Sequence, residues 1–157
     1  MKKYIRKIIA FAVLVCALAA LMACGSGNGG GNNNNPAPAS GYKDGTYTGR
    51  SSDFQADESG NGAGYGEVSI EIKDNKVVSC EFKLYELDGT LKDETYGADL
   101  SQENRLKAQK AVQSAEHYAA MLVDGGSLDG VDAISGATIS YNEFLEAVND
   151  ALSKAAQ

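Results

Sequence analysis

The chain has 157 residues and a net charge of −7, which argues against a nucleic-acid-binding protein because a phosphate backbone attracts Lys and Arg. Residues 1–23 contain four basic side chains and no acidic one, so the rest of the chain has a net charge of −11. This length predicts one domain with tails. The acidic surface of that domain also argues against direct binding to anionic lipid.

The first 23 residues predict a signal peptide. A basic segment, residues 1–7, precedes the thirteen apolar residues 8–20. That run is shorter than the roughly 20 residues of a membrane-spanning helix. It ends at Leu21-Met22-Ala23-Cys24, which resembles the lipobox of bacterial lipoproteins. The resemblance implies cleavage before Cys24 and lipid attachment to it; the alternative is a chance cysteine beside an ordinary cleavage site.

Residues 24–40 predict a flexible tether that starts at the lipidated cysteine. The sequence after Cys24 is mostly Gly, Asn, Pro, Ala and Ser, without the apolar periodicity that a core requires. Its sixteen residues reach roughly 20–25 Å on average, so the domain is expected to work close to the outer face of the cytoplasmic membrane. Cys80 is then the remaining thiol of the mature chain, which excludes an internal disulfide.

Residues 41–157 predict an α+β domain, in which an antiparallel β-sheet packs against two main helices. Residues 46–48 are expected to form a short opening strand. Residues 68–73 and 77–87 alternate apolar and polar side chains on either side of Asp74-Asn75, which predicts a β-hairpin. In the second strand of this hairpin, Val78 and Cys80 are expected to face the core.

Two amphipathic helices are predicted after the hairpin. Apolar side chains recur at three- and four-residue steps from about residue 101 to a stop at Gly125-Gly126. The last helix is predicted to begin near Tyr141, with Ser140 and Glu143 forming a capping box at its start.

Most enzyme classes lack their characteristic residues in this sequence. His117, the one histidine of the chain, lies inside the first predicted helix, and no nucleophile elbow accompanies it. With one histidine and one thiol in the mature chain, neither a metal site nor a set of catalytic residues is predicted. We therefore expect a protein that is not an enzyme in its own right.

Residues 132–140 form the most distinctive segment of the sequence. A short apolar stretch, residues 131–134, ends in the small residues Ser135, Gly136 and Ala137, directly before the last helix. The first N–H groups of a helix lack intrahelical partners and carry partial positive charge, so such a turn can hold a phosphate group. The alternative is an ordinary helix that follows a glycine turn.

The run Asp132-x-x-Ser135-Gly136-Ala137-Thr138 resembles the flavinylation motif of the FMN-binding domain family. That family includes the C subunit of the sodium-translocating NADH:quinone oxidoreductase, the G subunit of the Rnf complex and membrane-anchored lipoproteins. The resemblance implies that a flavin transferase uses FAD to join FMN to Thr138 through a phosphoester bond. Around Thr138, the resemblance implies that the cofactor site also includes Asp132, Ser135, Gly136, Ala137 and Ser140.

The resemblance extends over residues 42–153. Residues 44–49 resemble the opening strand of the family, Tyr65-Gly66 its glycine-rich approach to the next strand, and residues 147–152 its closing helix. Many members carry an E-T-P-G-L-G loop beside the flavin, and Glu94-Thr95-Tyr96-Gly97 is the nearest match. Flavin contacts from Glu94, Thr95 and Gly97 are therefore implied, and Tyr65 or Tyr96 could stack on the ring.

The function implied is that of a lipid-anchored electron-transfer flavoprotein. It would carry electrons from a membrane oxidoreductase or quinone-linked dehydrogenase to an extracytoplasmic acceptor. Two alternatives stay open: a noncovalent flavin-binding lipoprotein in which Thr138 only hydrogen-bonds the phosphate, and a surface lipoprotein without cofactor. Acidic groups near the ring, such as Glu94, are expected to lower the reduction potential, because they disfavour negative charge on the reduced flavin.

Overall fold

A computed structural model describes residues 41–157; the predicted signal peptide, Cys24 and the tether lie outside these residues. The described part is a two-layer α+β domain, as predicted. No helix within residues 41–157 is long and apolar enough to cross a membrane. The elements in chain order are β1 (Gly45–Arg50), β2 (Tyr65–Lys73), β3 (Lys76–Tyr85), α1 (Gln102–Gly125), a short 3₁₀ turn (Leu128–Gly130) and α2 (Thr138–Ala155).

The three strands form an antiparallel sheet with β2 at its centre. Strands β2 and β3 are joined by a two-residue turn, because Lys73 pairs with Lys76. Both turn residues have positive φ, 50° at Asp74 and 63° at Asn75. A type I′ turn requires this geometry at both positions, and Asp and Asn adopt it more readily than other non-glycine residues. The predicted hairpin is thus confirmed.

The prediction that Val78 faces the core is wrong, because a β-bulge changes the register of β3. Ile72 pairs with Val77, whereas Glu71 pairs with Ser79, so Val78 is the extra residue. Val77 is therefore buried, and Val78 is 45% exposed.

Both helices pack on the same face of the sheet. Alternate residues of β2 point toward them and are buried, as the period of a strand requires. Helix α2 lies directly on β1 at Gly49, where a Cβ would overlap the carbonyl oxygen of Ala147. This close contact fixes α2 on the sheet and so sets the position of its N-terminus. The opposite face of the sheet is not covered by either helix.

Helix α2 begins at Thr138, three residues before the predicted start, and the predicted capping box is wrong. The N-cap is Ala137, which supplies no side-chain acceptor. Its carbonyl oxygen accepts a hydrogen bond from the Tyr141 N–H at 3.0 Å, which closes the first helical turn. Ser140 and Glu143 therefore lie inside the helix, where both are buried. Helix α1 begins and ends as predicted, with Ser101 as its N-cap and Gly126 as its C-cap.

Candidate functional site

A tight turn precedes α2 and carries the distinctive segment of the sequence. The Ala137 N–H donates a hydrogen bond to the Ile134 carbonyl oxygen at 2.9 Å, which makes Ser135 and Gly136 the central residues of the turn. Gly136 has φ 78°, the positive value that a type II turn demands at its third position. Ser135 and Gly136 are exposed at the tip, while Ala137 is buried.

The hydroxyl of Tyr118 holds this turn from beneath. Tyr118 lies on α1, its side chain is fully buried, and burial raises the pKa of its phenol. The hydroxyl donates to the Ala137 carbonyl oxygen at 3.1 Å and accepts from the Ile134 N–H at 3.1 Å. Sequence analysis missed Tyr118, because a tyrosine on the apolar side of a helix looks like any other core residue.

Thr138, the first residue of α2, presents its side chain to solvent. Its hydroxyl makes no hydrogen bond to any residue in 41–157. The N–H groups of Thr138, Ile139 and Ser140 precede the first intrahelical hydrogen bond, and Ala137 offers them no side-chain acceptor. An accessible hydroxyl thus lies beside free N–H groups at the positive end of a helix, an arrangement that suits a phosphate group.

Lys110 adds a positive charge to the same turn. Its Nζ atom lies 3.0 Å from the position that a Cβ on Gly136 would take. No carboxylate within the described part of the chain forms an ion pair with it, whereas Lys107, one turn earlier, pairs with Glu103 at 3.1 Å. Lys110 gave no sequence signal, because a lysine on an exposed helix face is usually only solvated.

A small cavity of about 60 Å³ lies behind the start of α2. Five separate parts of the chain form it: residues 60–62, Leu84 of β3, the loop before α1 with Lys92 and Tyr96, residues 107–111 of α1, and Ile139, Ser140 and Glu143 of α2. At about 30 Å³ per water, this volume holds two waters, so it can take the edge of a flavin ring but not the whole ring.

Lys92 and Glu143 are both buried beside this cavity, with 8% and 6% of their surfaces exposed. Neither side chain has a hydrogen-bond or ion-pair partner among residues 41–157, although Lys92 Nζ lies 4.9 Å from the centre of the Tyr96 ring. Burial raises the pKa of Glu143 to about 7, opposed by the charge of Lys92. Burial likewise lowers the pKa of Lys92, opposed by Glu143 and Glu86.

The loop that resembles the family's E-T-P-G-L-G segment contributes one side chain to the cavity. Glu94 and Thr95 are exposed, and the Thr95 hydroxyl donates to Asp93 Oδ1 at 2.7 Å. Gly97, with φ 79°, packs against α1. Tyr96 reaches the cavity. The structure thus brings Tyr96 near the start of α2, and the flavin contacts of the other three residues stay predictions.

Tyr65 is not brought together with Thr138. It lies on the uncovered face of the sheet, where its ring stacks on Tyr85 with the ring centres 5.4 Å apart. The Arg50 guanidinium lies 3.7 Å from the centre of the Tyr65 ring. Asp132 is exposed beside the turn.

Cys80 and His117 lie outside the turn and the cavity. Cys80 is half-buried against the core. Burial, with a smaller contribution from Glu81, raises the pKa of the Cys80 thiol to about 12, so the thiol stays neutral and unreactive. His117 is exposed on α1. Among the residues that the structure describes, no group of three His, Cys, Asp or Glu side chains could hold a metal ion.

Comparisons with known proteins match the turn and its surroundings to one family. The sequence profile of the FMN-binding domain matches residues 61–153, more than half of the chain. The CPE2226 protein from Clostridium perfringens is 22% identical, with a TM-score of 0.53 over 73% of this chain and 88% of that chain, and shares the fold. A protein from Clostridium thermocellum is 27% identical over 73% of this chain and 93% of its own, with a TM-score of 0.39. No curated protein matches.

Proposed function

The chain belongs to the FMN-binding domain family, and from this membership we propose that it is an electron-transfer flavoprotein with FMN joined covalently to Thr138. The match includes the whole segment from Asp132 to Ser140. The observation that carries the proposal is the exposed Thr138 hydroxyl beside the free N–H groups of α2. A residue that only capped the helix would lie before it and turn its oxygen toward these groups.

The turn supplies what attachment of a phosphate requires. When a flavin transferase joins the FMN half of FAD to Thr138 Oγ, AMP leaves, and the resulting phosphodiester keeps one negative charge. The N–H groups of Ile139 and Ser140 and the ammonium group of Lys110 would stabilise that charge. Gly136 lets Lys110 approach the turn closely, because Lys110 Nζ lies 3.0 Å from the position that a Cβ on Gly136 would take.

The cavity behind α2 fits one edge of the flavin ring. Lys92, Tyr96 and Glu143 line it with a donor, an aromatic face and a carboxyl group. Because the cavity holds only about 60 Å³, most of the ring would remain at the surface. FMN supplies one- or two-electron transfer, and an exposed ring suits a carrier that must meet two different partners.

The place of action follows from the N-terminal sequence. We infer that Cys24 is lipidated and that residues 24–40 tether the domain to the outer face of the cytoplasmic membrane. There a covalent bond prevents loss of FMN to an open compartment. The domain would act as a carrier rather than an enzyme, accepting electrons from a membrane oxidoreductase or quinone-linked dehydrogenase and passing them to an extracytoplasmic acceptor.

Retention of flavin after denaturation tests the covalent bond. Protein from its native host is unfolded in urea and filtered, and the flavin absorbance of the retained fraction is measured. Wild type and Thr46→Ala, which removes an exposed threonine from β1, are expected to retain the flavin, and Thr138→Ala is expected to lose it. Flavin that passes the filter in wild type would indicate noncovalent binding. Wild type without any flavin would contradict the proposal.

The carrier role is tested in membranes from the host. With a respiratory donor added, the flavin absorbance of the anchored protein should fall, and it should recover when an extracytoplasmic oxidant such as ferricyanide is added. Cys24→Ala, which removes the lipid attachment, should be reduced more slowly at the same protein concentration. Equal reduction rates for the two proteins would show that the lipid anchor plays no part in electron transfer to the domain.

A further inference from the structure

Lys92 and Glu143 lie beside one cavity, and neither the phosphate nor its attachment to Thr138 uses them. We propose that they receive the polar edge of the flavin ring, and that Glu143 takes up a proton when that ring is reduced. This inference rests on the proposed function, because it requires a flavin on Thr138.

Two buried charged groups without a hydrogen-bond or ion-pair partner point to a ligand at this cavity. Lys92 and Glu143 are each more than nine-tenths buried, and neither has a hydrogen-bond or ion-pair partner in residues 41–157. Their charges act on each other without direct contact, and a buried ionisable group without a direct partner is costly, so such groups normally bind something or change their protonation state. Their cavity is also lined by Ile139 and Ser140, the two residues that follow Thr138.

The chemistry of the pair matches one edge of the flavin. The pyrimidine part of the ring carries carbonyl and ring-nitrogen acceptors on both sides of one N–H donor. The ammonium group of Lys92 is a donor without acceptor capacity, and an ionised Glu143 carboxylate is an acceptor. The two side chains thus complement an edge that displays both functions, and the volume of about 60 Å³ admits an edge only.

Protonation of Glu143 would balance negative charge that reduction adds to the flavin ring. Its burial raises its pKa to about 7, so near neutrality the carboxyl group already exchanges a proton. The charged and titratable groups around it are Lys92, Lys107, Tyr96, Glu86 and Glu146. Electrons from an external donor add negative charge to the ring, and a proton that moves from water to the Glu143 carboxylate cancels one unit of that charge.

The midpoint potential of the flavinylated protein measures this coupling. Wild type and Glu143→Gln are titrated with dithionite from pH 5.5 to 8.5. In acid Glu143 is protonated in both redox states, so the two curves should coincide there. Above pH 7 the ionised carboxylate opposes reduction, so the wild-type potential should fall below that of Glu143→Gln by an amount that grows with pH. Glu116→Gln, an exposed change on α1, should give a curve parallel to wild type.

Two further measurements separate this inference from the proposed function. Lys92→Met removes the positive charge that lowers the pKa of Glu143. The potentials of Lys92→Met and of the double variant Lys92→Met, Glu143→Gln should therefore begin to diverge at a higher pH than those of wild type and Glu143→Gln. Carbon-13 NMR should show that the Glu143 carboxyl titrates at a higher pH in the reduced than in the oxidised protein, and that Thr138→Ala removes this difference. Parallel potential curves in protein that carries covalent flavin would overturn the inference and leave the attachment at Thr138 intact.

Discussion

The turn at residues 134–138 and the cavity behind it are built in opposite ways. The turn is a continuous segment with an exposed tip, and its own chemistry comes mainly from backbone N–H groups and the Thr138 hydroxyl. The cavity is assembled from five separate parts of the chain, and its chemistry comes from buried charged side chains. We infer that attachment of the cofactor is encoded locally, whereas adjustment of its properties depends on the tertiary fold.

The largest effect is expected at the cavity, in the pH dependence of stability. The pKa of Glu143 in the folded protein, about 7, lies above its ordinary value of 4.5, so the folded state binds the proton more tightly. The contribution of this proton to the free energy of unfolding is complete below pH 4.5. It is lost as the pH rises through about 7, and the loss is at most about 3 kcal/mol. Glu143→Gln cannot ionise and should remove this loss.

Urea unfolding of both proteins between pH 4.5 and 8 checks this prediction. The free energies of unfolding of wild type and Glu143→Gln should be similar at the acidic end, and the variant should be the more stable protein at pH 8. The same pH dependence in both proteins would show that the carboxyl group is solvated in solution.

At the turn, the largest effect is expected from the buried hydroxyl of Tyr118. Tyr118→Phe leaves the buried Ile134 N–H without its partner and removes one of the two donors to the Ala137 carbonyl oxygen, which should cost about 1–3 kcal/mol of unfolding free energy. Tyr47→Phe is the control, because that hydroxyl donates to the Lys43 carbonyl oxygen at an exposed position and its loss should cost less. Urea unfolding compares the two, and equal losses would mean that Tyr118 does not hold the turn.

A smaller effect is expected from Lys110, whose charge lies at the turn but in solvent. Lys110→Met should slow flavin attachment by a purified flavin transferase about fivefold, since an exposed charge contributes at most about 1 kcal/mol. Lys73→Met, at the hairpin between β2 and β3, removes the same charge elsewhere and should leave the rate unchanged. Equal slowing in both variants would indicate a general effect of net charge.

The smallest effect is expected from Glu94, the acidic residue that the family resemblance places near the flavin. Its side chain is exposed, so salt and water screen its charge. Glu94→Gln should raise the midpoint potential less than Glu143→Gln does at pH 8. A larger shift from Glu94 would place the ring beside the loop before α1 instead of against the buried pair.

The fold could be predicted from the sequence wherever one local pattern decided it. The alternation in β2 and the Asp74-Asn75 turn predict the hairpin, because each depends on neighbouring residues alone. The bulge at Val78 could not be predicted in this way, since the alternation of β3 gives no sign of an inserted residue. The predicted start of α2 is three residues too late, because Ser140 and Glu143 have the spacing of a capping box. In the structure Tyr118, from the distant helix α1, holds a turn from which the helix already begins at Thr138.

The candidate site likewise has one part that the local sequence predicts and one part that depends on the tertiary fold. Thr138 and its turn are visible in the sequence, since seven consecutive residues carry the motif. Lys92 and Tyr96 lie in a loop without periodicity, and Lys110 lies on an ordinary helix surface. Only the tertiary fold brings these side chains to the start of α2.

The intact mass of the mature protein from its native host tests the central claim most directly. Wild type should exceed the mass of its lipidated polypeptide by about 438 Da, the mass of FMN joined with loss of water, and Thr138→Ala should not. A wild-type mass equal to that of the bare lipidated polypeptide, in a host that flavinylates other proteins, would contradict the account. Thr138 would then be only the first residue of a helix.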